Sequence, residues 1–176
     1  MLMTILGAIV FIVAIILVIA STRPDTSTIE RSAVINAPAE KIFPHMNDFH
    51  AWGAWSPWEK MDPNLKRTFS GAEKGVGAKY DWEGNNQVGI GRMEILESVP
   101  HSKILIALDF LKPFEADNRT EFTFTPANGG GTLLNWKMTG PQPFMFKVMG
   151  LFMNMQDMVG KDFEKGLASL KAIAES

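Results

Sequence analysis

The segment that most constrains how this 176-residue chain folds is its last thirty-odd residues, Phe144 to Glu175. Val148, Phe152, Met155, Val159, Phe163, Gly166, Leu170 and Ile173 recur at steps of three and four, one face of an α-helix. The opposite face carries Lys147, Asn154, Asp157, Lys161, Glu164, Lys165 and Lys171. Pro141 and Pro143 stop a preceding strand and start the helix. A helix this amphipathic needs an apolar surface to lie on. Its first half is dense in Met and Phe, with Phe144, Met145, Phe146, Met149, Phe152, Met153, Met155 and Met158 inside one short stretch. Methionine fills irregular gaps and adapts to varied apolar partners. That half therefore reads either as ordinary core or as a surface for changing partners, with Gly150 and Gly160 as bend points.

The chain opens on a second constraint. Leu2 to Ala20 holds no charge and no proline. At 1.5 Å per residue it spans about 28 Å, close to the ~30 Å hydrocarbon core of a bilayer. A transmembrane anchor over residues 1–21 is expected, followed by a polar linker at 22–27 around Pro24 and a domain over 28–176. The rival is a signal peptide cleaved after Val18-Ile-Ala20, which would make the domain secreted or periplasmic. No Lys or Arg precedes the apolar run, and the run exceeds an ordinary signal core, so the anchor reading leads. Arg23 and Arg31 follow the span, which favours a single-pass protein with a cytoplasmic domain.

The middle of the chain is β-patterned. Thr28 to Asn36 alternates, with Ile29, Ala33 and Ile35 on one face. Pro38 opens a helix whose apolar face is Ile42, Phe43, Met46 and Phe49, and Pro44 limits it to a short helix or a broken pair. Trp52, Trp55 and Trp58, spaced around Gly53 and Pro57, form a compact aromatic loop that either plugs the core or lines a pocket mouth. From Leu65 on, strands follow one another. Val76, Ala78, Tyr80 and Trp82 alternate against polar neighbours, and Gly84-Asn85-Asn86 is a hairpin signal. Val88 to Glu97 carries Gly89 and Gly91, marks of curvature or close approach. Ile104, Ile106, Leu108 and Phe110 face inward on the next strand. Ala116, Asn118, Thr120, Phe122 and Phe124 do so on the one after, and Leu134, Trp136 and Met138 on the last.

Consecutive strands with tight turns make an antiparallel, curved sheet. The expected fold class is therefore α+β: about seven strands wrapped around the long C-terminal helix, two short helices after the first strand, and a transmembrane helix in front. A bent sheet gripping one helix leaves room for a cavity between them.

Several stretches resemble the START/Bet v1-like helix-grip (SRPBCC) superfamily. Val34-Ile-Asn-Ala-Pro-Ala-Glu-Lys-Ile-Phe43 is similar to its opening. Trp55-Ser-Pro-Trp58, Ser70 to Gly77, Trp82-Glu-Gly84, Gly91-Arg-Met93 and Gly160 to Leu167 resemble its polyketide cyclase/dehydrase-type branch. The resemblance runs from about Ile29 to Ala174. It implies a cavity for a hydrophobic small molecule or lipid and carries over no catalytic set. On this reading the cavity candidates are Trp55 and Trp58 from the aromatic loop. Strand positions add Tyr80, Trp82, Phe110, Asn118, Trp136 and Met138, and the closing helix adds Met149, Phe152 and Met153.

Other chemistry finds little support in the residues. His45, His50 and His101 have no metal-ligand spacing, and the chain has no cysteine, so neither a metal site nor a cofactor is expected. Ser56 lacks a nucleophile elbow, and Gly129-Gly-Gly131 reads as a hairpin turn, not a phosphate loop. With a net charge of −2 and no basic stripe, nucleic acid is not an expected partner. The oligomeric state stays open. Three function classes remain: a membrane-anchored binder of an apolar ligand, a cyclase or dehydratase, and a protein-interaction module. The enzyme would need an inward acid or base, for which Tyr80, Asn118, Arg67, Arg92 and Glu94 are the candidates. The interaction module would need an apolar patch outside the cavity.

Overall fold

The computed structural model describes residues 2–176; Met1, part of the expected 1–21 anchor, lies outside the described residues. Helix α1 (Leu2–Ser21) is exposed along most of its length and meets the rest of the chain at α3. Its stretch Met3–Ser21 has a mean hydropathy of 3.1, and only 6% of it is buried, so it is long and apolar enough to cross a membrane. The linker is shorter than expected. Strand β1 (Thr26–Ile35) starts at Thr26 because Thr26 already pairs with Pro141 on the last strand.

Helix α2 (Ala39–Asn47) buries Ile42, Phe43 and Met46 and contains Pro44. Two 3₁₀ turns follow, Phe49–Ala54 and Pro57–Lys60. Then come β2 (Lys66–Gly71), β3 (Ala78–Glu83), β4 (Ile90–Val99), β5 (Lys103–Lys112), β6 (Ala116–Pro126) and β7 (Thr132–Pro141). The seven strands form one antiparallel sheet in the order β1-β7-β6-β5-β4-β3-β2. Its edges, β1 and β2, remain unpaired with each other, so the sheet curves without closing. This is the α+β helix-grip arrangement that the strand pattern and the terminal helix predict.

Val76 departs from its expected place. It lies before β3 and is exposed, because Gly75 and Gly77 on either side adopt positive φ and turn the chain there. The larger departure is in the terminal helix, which is two helices: α3 (Phe144–Met149) and α4 (Met155–Ala174). Gly150 caps the first, its N–H bonding back to Phe146. Asn154 caps the second, its side chain accepting from the N–H of Asp157 at 3.2 Å and donating to the Asp157 carboxylate at 2.7 Å. These caps stop one continuous helix from forming, so the apolar stripe is buried only from Val159 onward. Phe152, in the joint, is 70% exposed.

Helix α4 is gripped by its C-terminal half, through Phe163, Leu167, Leu170 and Ala174. The Phe163 ring stacks on Trp136 of β7, centroids 4.0 Å apart and planes 7° from parallel. Gly166 lets the helix come this close, since a Cβ there would sit 2.9 Å from the Trp136 ring. Arg31 of β1 adds an ion pair to Glu164 at 2.7 Å, a surface contact of small net worth. Replacing Phe163 by Ala removes the stack and should cost about 3–5 kcal/mol in a denaturant titration. A loss below about 1 kcal/mol would show that the grip lies elsewhere.

Candidate functional site

The inner face of the sheet divides along its own strands. On β5, Ile104 and Ile106 are core while Leu108 and Phe110 border open space. On β6 the division falls between Phe122 and Phe124 on one side and Thr120, Asn118 and Ala116 on the other. On β7, Leu134 is core, Trp136 marks the boundary, and Met138 and Gly140 lie beyond it. Helix α4 follows the same division, with Leu167 and Leu170 in the core and Val159 and Met155 over the gap. The result is a cavity of about 750 Å³ between sheet and helix, within the range of small-molecule sites. Thr22, Arg23 and Pro24, the exposed residues that follow α1, also border it.

Of the residues expected from the sequence, Trp58, Tyr80, Trp82, Phe110, Asn118, Trp136, Met138 and Met153 border this cavity. Trp55 does not. It is fully buried, its N–H donates to the His45 carbonyl at 2.9 Å, and its ring meets Trp136 edge-on, so it plugs the core end. Met149 and Phe152 also fall outside, although Phe146, Gly150 and Met153 border it, because the caps at Gly150 and Asn154 break the single helical face on which they were grouped. The aromatic loop thus serves both of its expected roles: Trp55 is core, and Trp52 and Trp58 are wall.

Arg92 and Glu94 are not inward candidates. They pair across the outer face with Asp109 at 3.0 Å and Lys79 at 3.5 Å, while Gly91, Met93 and Ile95 turn inward. The ionisable group that sequence patterning missed is Glu59, in the second 3₁₀ turn. Its side chain is only 7% exposed and borders the cavity. The Tyr80 hydroxyl donates to its Oε1 at 2.5 Å and Arg67 Nε donates to its Oε2 at 2.6 Å. Arg67 also donates through Nη2 to the Glu59 carbonyl at 3.0 Å. The strand alternation that turns Tyr80 inward was legible. A short turn has no such period, so nothing in the sequence placed Glu59 beside it.

Asn118 is buried, borders the cavity, and its side chain makes no hydrogen bond among the described residues. It occupies the space over Gly140, where a Cβ would overlap its Oδ1. Thr120 Oγ1 and Trp136 Nε1, on neighbouring inner positions, are likewise buried without a partner among the described residues. A buried polar atom left unpaired costs about 1–3 kcal/mol. These two atoms, with the Asn118 amide beside them, make a polar stripe in an otherwise apolar wall.

Burial, and then the hydrogen bond to the Glu59 carboxylate, push the Tyr80 hydroxyl well above the ordinary value near 10. The unfolded chain then loses this proton first. The stabilisation is complete below pH of about 10 and falls as pH rises beyond it. Tyr80 is the only tyrosine, so phenolate absorbance reports it alone. The folded protein should stay unionised through the pH range where free tyrosine titrates, and Glu59→Gln should shift the transition downward. An ordinary titration in the folded protein would contradict the buried contact.

Residues 26–175 match the family described as polyketide cyclase / dehydrase and lipid transport. No curated protein matches the chain in sequence. Among solved structures, the fold is similar to a Chromobacterium violaceum protein at 20% identity, covering 87% of this chain and 99% of that one with a TM-score of 0.58. It is similar to the Aha1 dimer from Colwellia psychrerythraea at 13% identity, covering 85% and 96% with a TM-score of 0.59. It is also similar to the di-domain ARO/CYC StfQ of the steffimycin biosynthetic pathway at 14% identity, with a TM-score of 0.63 over 85% of this chain and 51% of that one. The sheet, the gripped helix and the match across residues 26–175 agree: the chain belongs to the polyketide cyclase/dehydrase and lipid transport family.

Proposed function

We propose that this protein is a membrane-anchored binder of a hydrophobic small molecule or lipid, held between the sheet and α4. The observation that carries the reading is the cavity of about 750 Å³, apolar over most of its wall, with its mouth at the foot of the apolar helix. Family membership supports a hydrophobic ligand. The polar stripe of unpartnered Thr120 and Trp136 beside Asn118 supports a ligand with one oxygen-bearing end, which those side chains would orient. The ligand-facing set would be Trp58, Tyr80, Trp82, Phe110, Asn118, Trp136, Met138 and Met153.

A cyclase or dehydratase would need a group free to exchange a proton with its substrate. Glu59 is the carboxylate at the cavity wall, and both its oxygens already accept strong hydrogen bonds from Tyr80 and Arg67. Those two contacts hold the carboxylate in place and favour binding over catalysis.

A fluorescent fatty acid should bind the full-length protein in the micromolar range, roughly −8 kcal/mol. Leu108→Trp, which projects into the space, should weaken binding at least about tenfold without lowering the melting temperature, as filling a void need not strain packed core. A falling melting temperature with unchanged affinity would mean that the space is not the binding site.

The anchor is tested separately. Full-length protein should remain with membranes through a carbonate wash. Recovery of a mature chain that begins at Ser21 would replace the anchor with a signal peptide.

A further inference from the structure

We propose that the mouth of the cavity carries an apolar collar that sits in the interface of the bilayer crossed by α1, so that ligand passes between membrane and cavity without entering water. The proposal rests on the anchored-binder reading above and adds where the mouth lies and what covers it. Large apolar side chains are exposed on three neighbouring pieces. They are Phe114 at the tip between β5 and β6 (55% exposed), Phe144 and Met145 on α3, and Phe152 and Met153 in the joint before α4. These pieces belong together: the Phe114 and Phe146 rings meet edge-on at 5.5 Å, and both residues border the cavity. Met153 and Met155 border it from the joint side. An apolar surface of this extent around an opening marks a contact with something apolar.

The occupant follows from the tether. Helix α1 ends at Ser21 and β1 begins at Thr26, five steps that span at most about 17 Å. The linker is not slack. The Gln142 N–H donates to the Asp25 carbonyl at 2.7 Å, and the buried Lys147 of α3 pairs with the Asp25 carboxylate. Helix α3 also packs against α1 directly. A bilayer around α1 therefore has its surface at the collar, within the ~5–10 Å depth over which interfacial apolar side chains insert. Nearby charges are of both signs: Arg23 and Lys112 border the cavity, Glu115 follows Phe114 in the chain, and Lys147 is paired with Asp25. Insertion should accordingly rest on apolar contact and need no anionic lipid.

The chain has no cysteine, so single labels can be placed cleanly. Full-length Met145→Cys, Phe152→Cys and Phe114→Cys, each carrying an environment-sensitive fluorophore, would be reconstituted in phosphatidylcholine vesicles holding a shallow nitroxide-labelled lipid. Asn128→Cys, in the exposed turn at the far end of β6, is the control. The expected result is strong quenching at 145, 152 and 114 and none at 128, with the protein floating with the vesicles. Flotation with all collar labels unquenched overturns the collar while leaving the anchor intact. Unquenched labels together with disulfide cross-linking through Met145→Cys would show that a second copy covers the collar, which also overturns it. Release of the protein by carbonate would show the anchor reading to be wrong, and the collar proposal would fall with it. As a second readout, Met145→Glu with Phe152→Glu should slow uptake of fluorescent fatty acid from vesicles severalfold and leave the affinity measured in solution unchanged. Equal uptake by that variant would overturn the direct route.

Discussion

The stack of Phe163 on Trp136 sets where helix and sheet touch, and the rest of the domain depends on that position. Below it, α4 lies on the concave face, and Ile104, Ile106, Phe122, Leu134, Leu167 and Leu170 close into fully buried core. Above it the same strands run on, but the continuous helix ends at the Asn154 cap and the chain breaks through the joint to α3. A close-packed interior tolerates few voids, so an opening on this scale survives only where the covering element has departed. The cavity and the core are thus two ends of one sheet–helix contact.

That division also explains the distribution of polar groups. At the core end the inward side chains are apolar, as dense packing without hydrogen-bond partners requires. At the cavity end, Asn118 and Thr120 occupy equivalent inward positions of β6. Polar side chains there remain unpaired among the described residues, and a bound ligand or water can satisfy them. On the opposite wall, Glu59 is held by Tyr80 and Arg67. That cluster pairs the Glu59 carboxylate with the Arg67 guanidinium, so this part of the wall carries no lone charge among the described residues.

The short tether gives the tertiary arrangement a consequence beyond the domain itself. With the linker fixed to α3 by Asp25, the cavity mouth, the Met- and Phe-rich segment and the apolar helix form one continuous apolar side of the molecule. The methionine density that made the terminal segment unusual in the sequence falls on this side and not in the core. Flexible thioethers would suit the rim proposed above, which would meet acyl chains and a ligand in transit.

The strand alternation, the proline and glycine punctuation and the helical period of Val159 to Ile173 were enough to define the α+β helix-grip fold, because each encodes a local geometry read residue by residue. The inward orientation of Tyr80, Trp82, Asn118 and Trp136 followed from the same period of two. What the sequence left open depended on distances between segments far apart in the chain. The helical period ran unbroken through Phe152, and only the caps at Gly150 and Asn154 interrupt it. Trp55 and Trp58 looked equivalent and both meet Trp136 edge-on, yet only Trp55 is fully buried while Trp58 borders the cavity. Glu59 sat in a turn with no period, and it became a buried partner only when β2 and β3 brought Arg67 and Tyr80 to it. Local periodicity determines which way a side chain points. Which residues share a cavity is decided by where the helix stops touching the sheet, a property of the assembled fold.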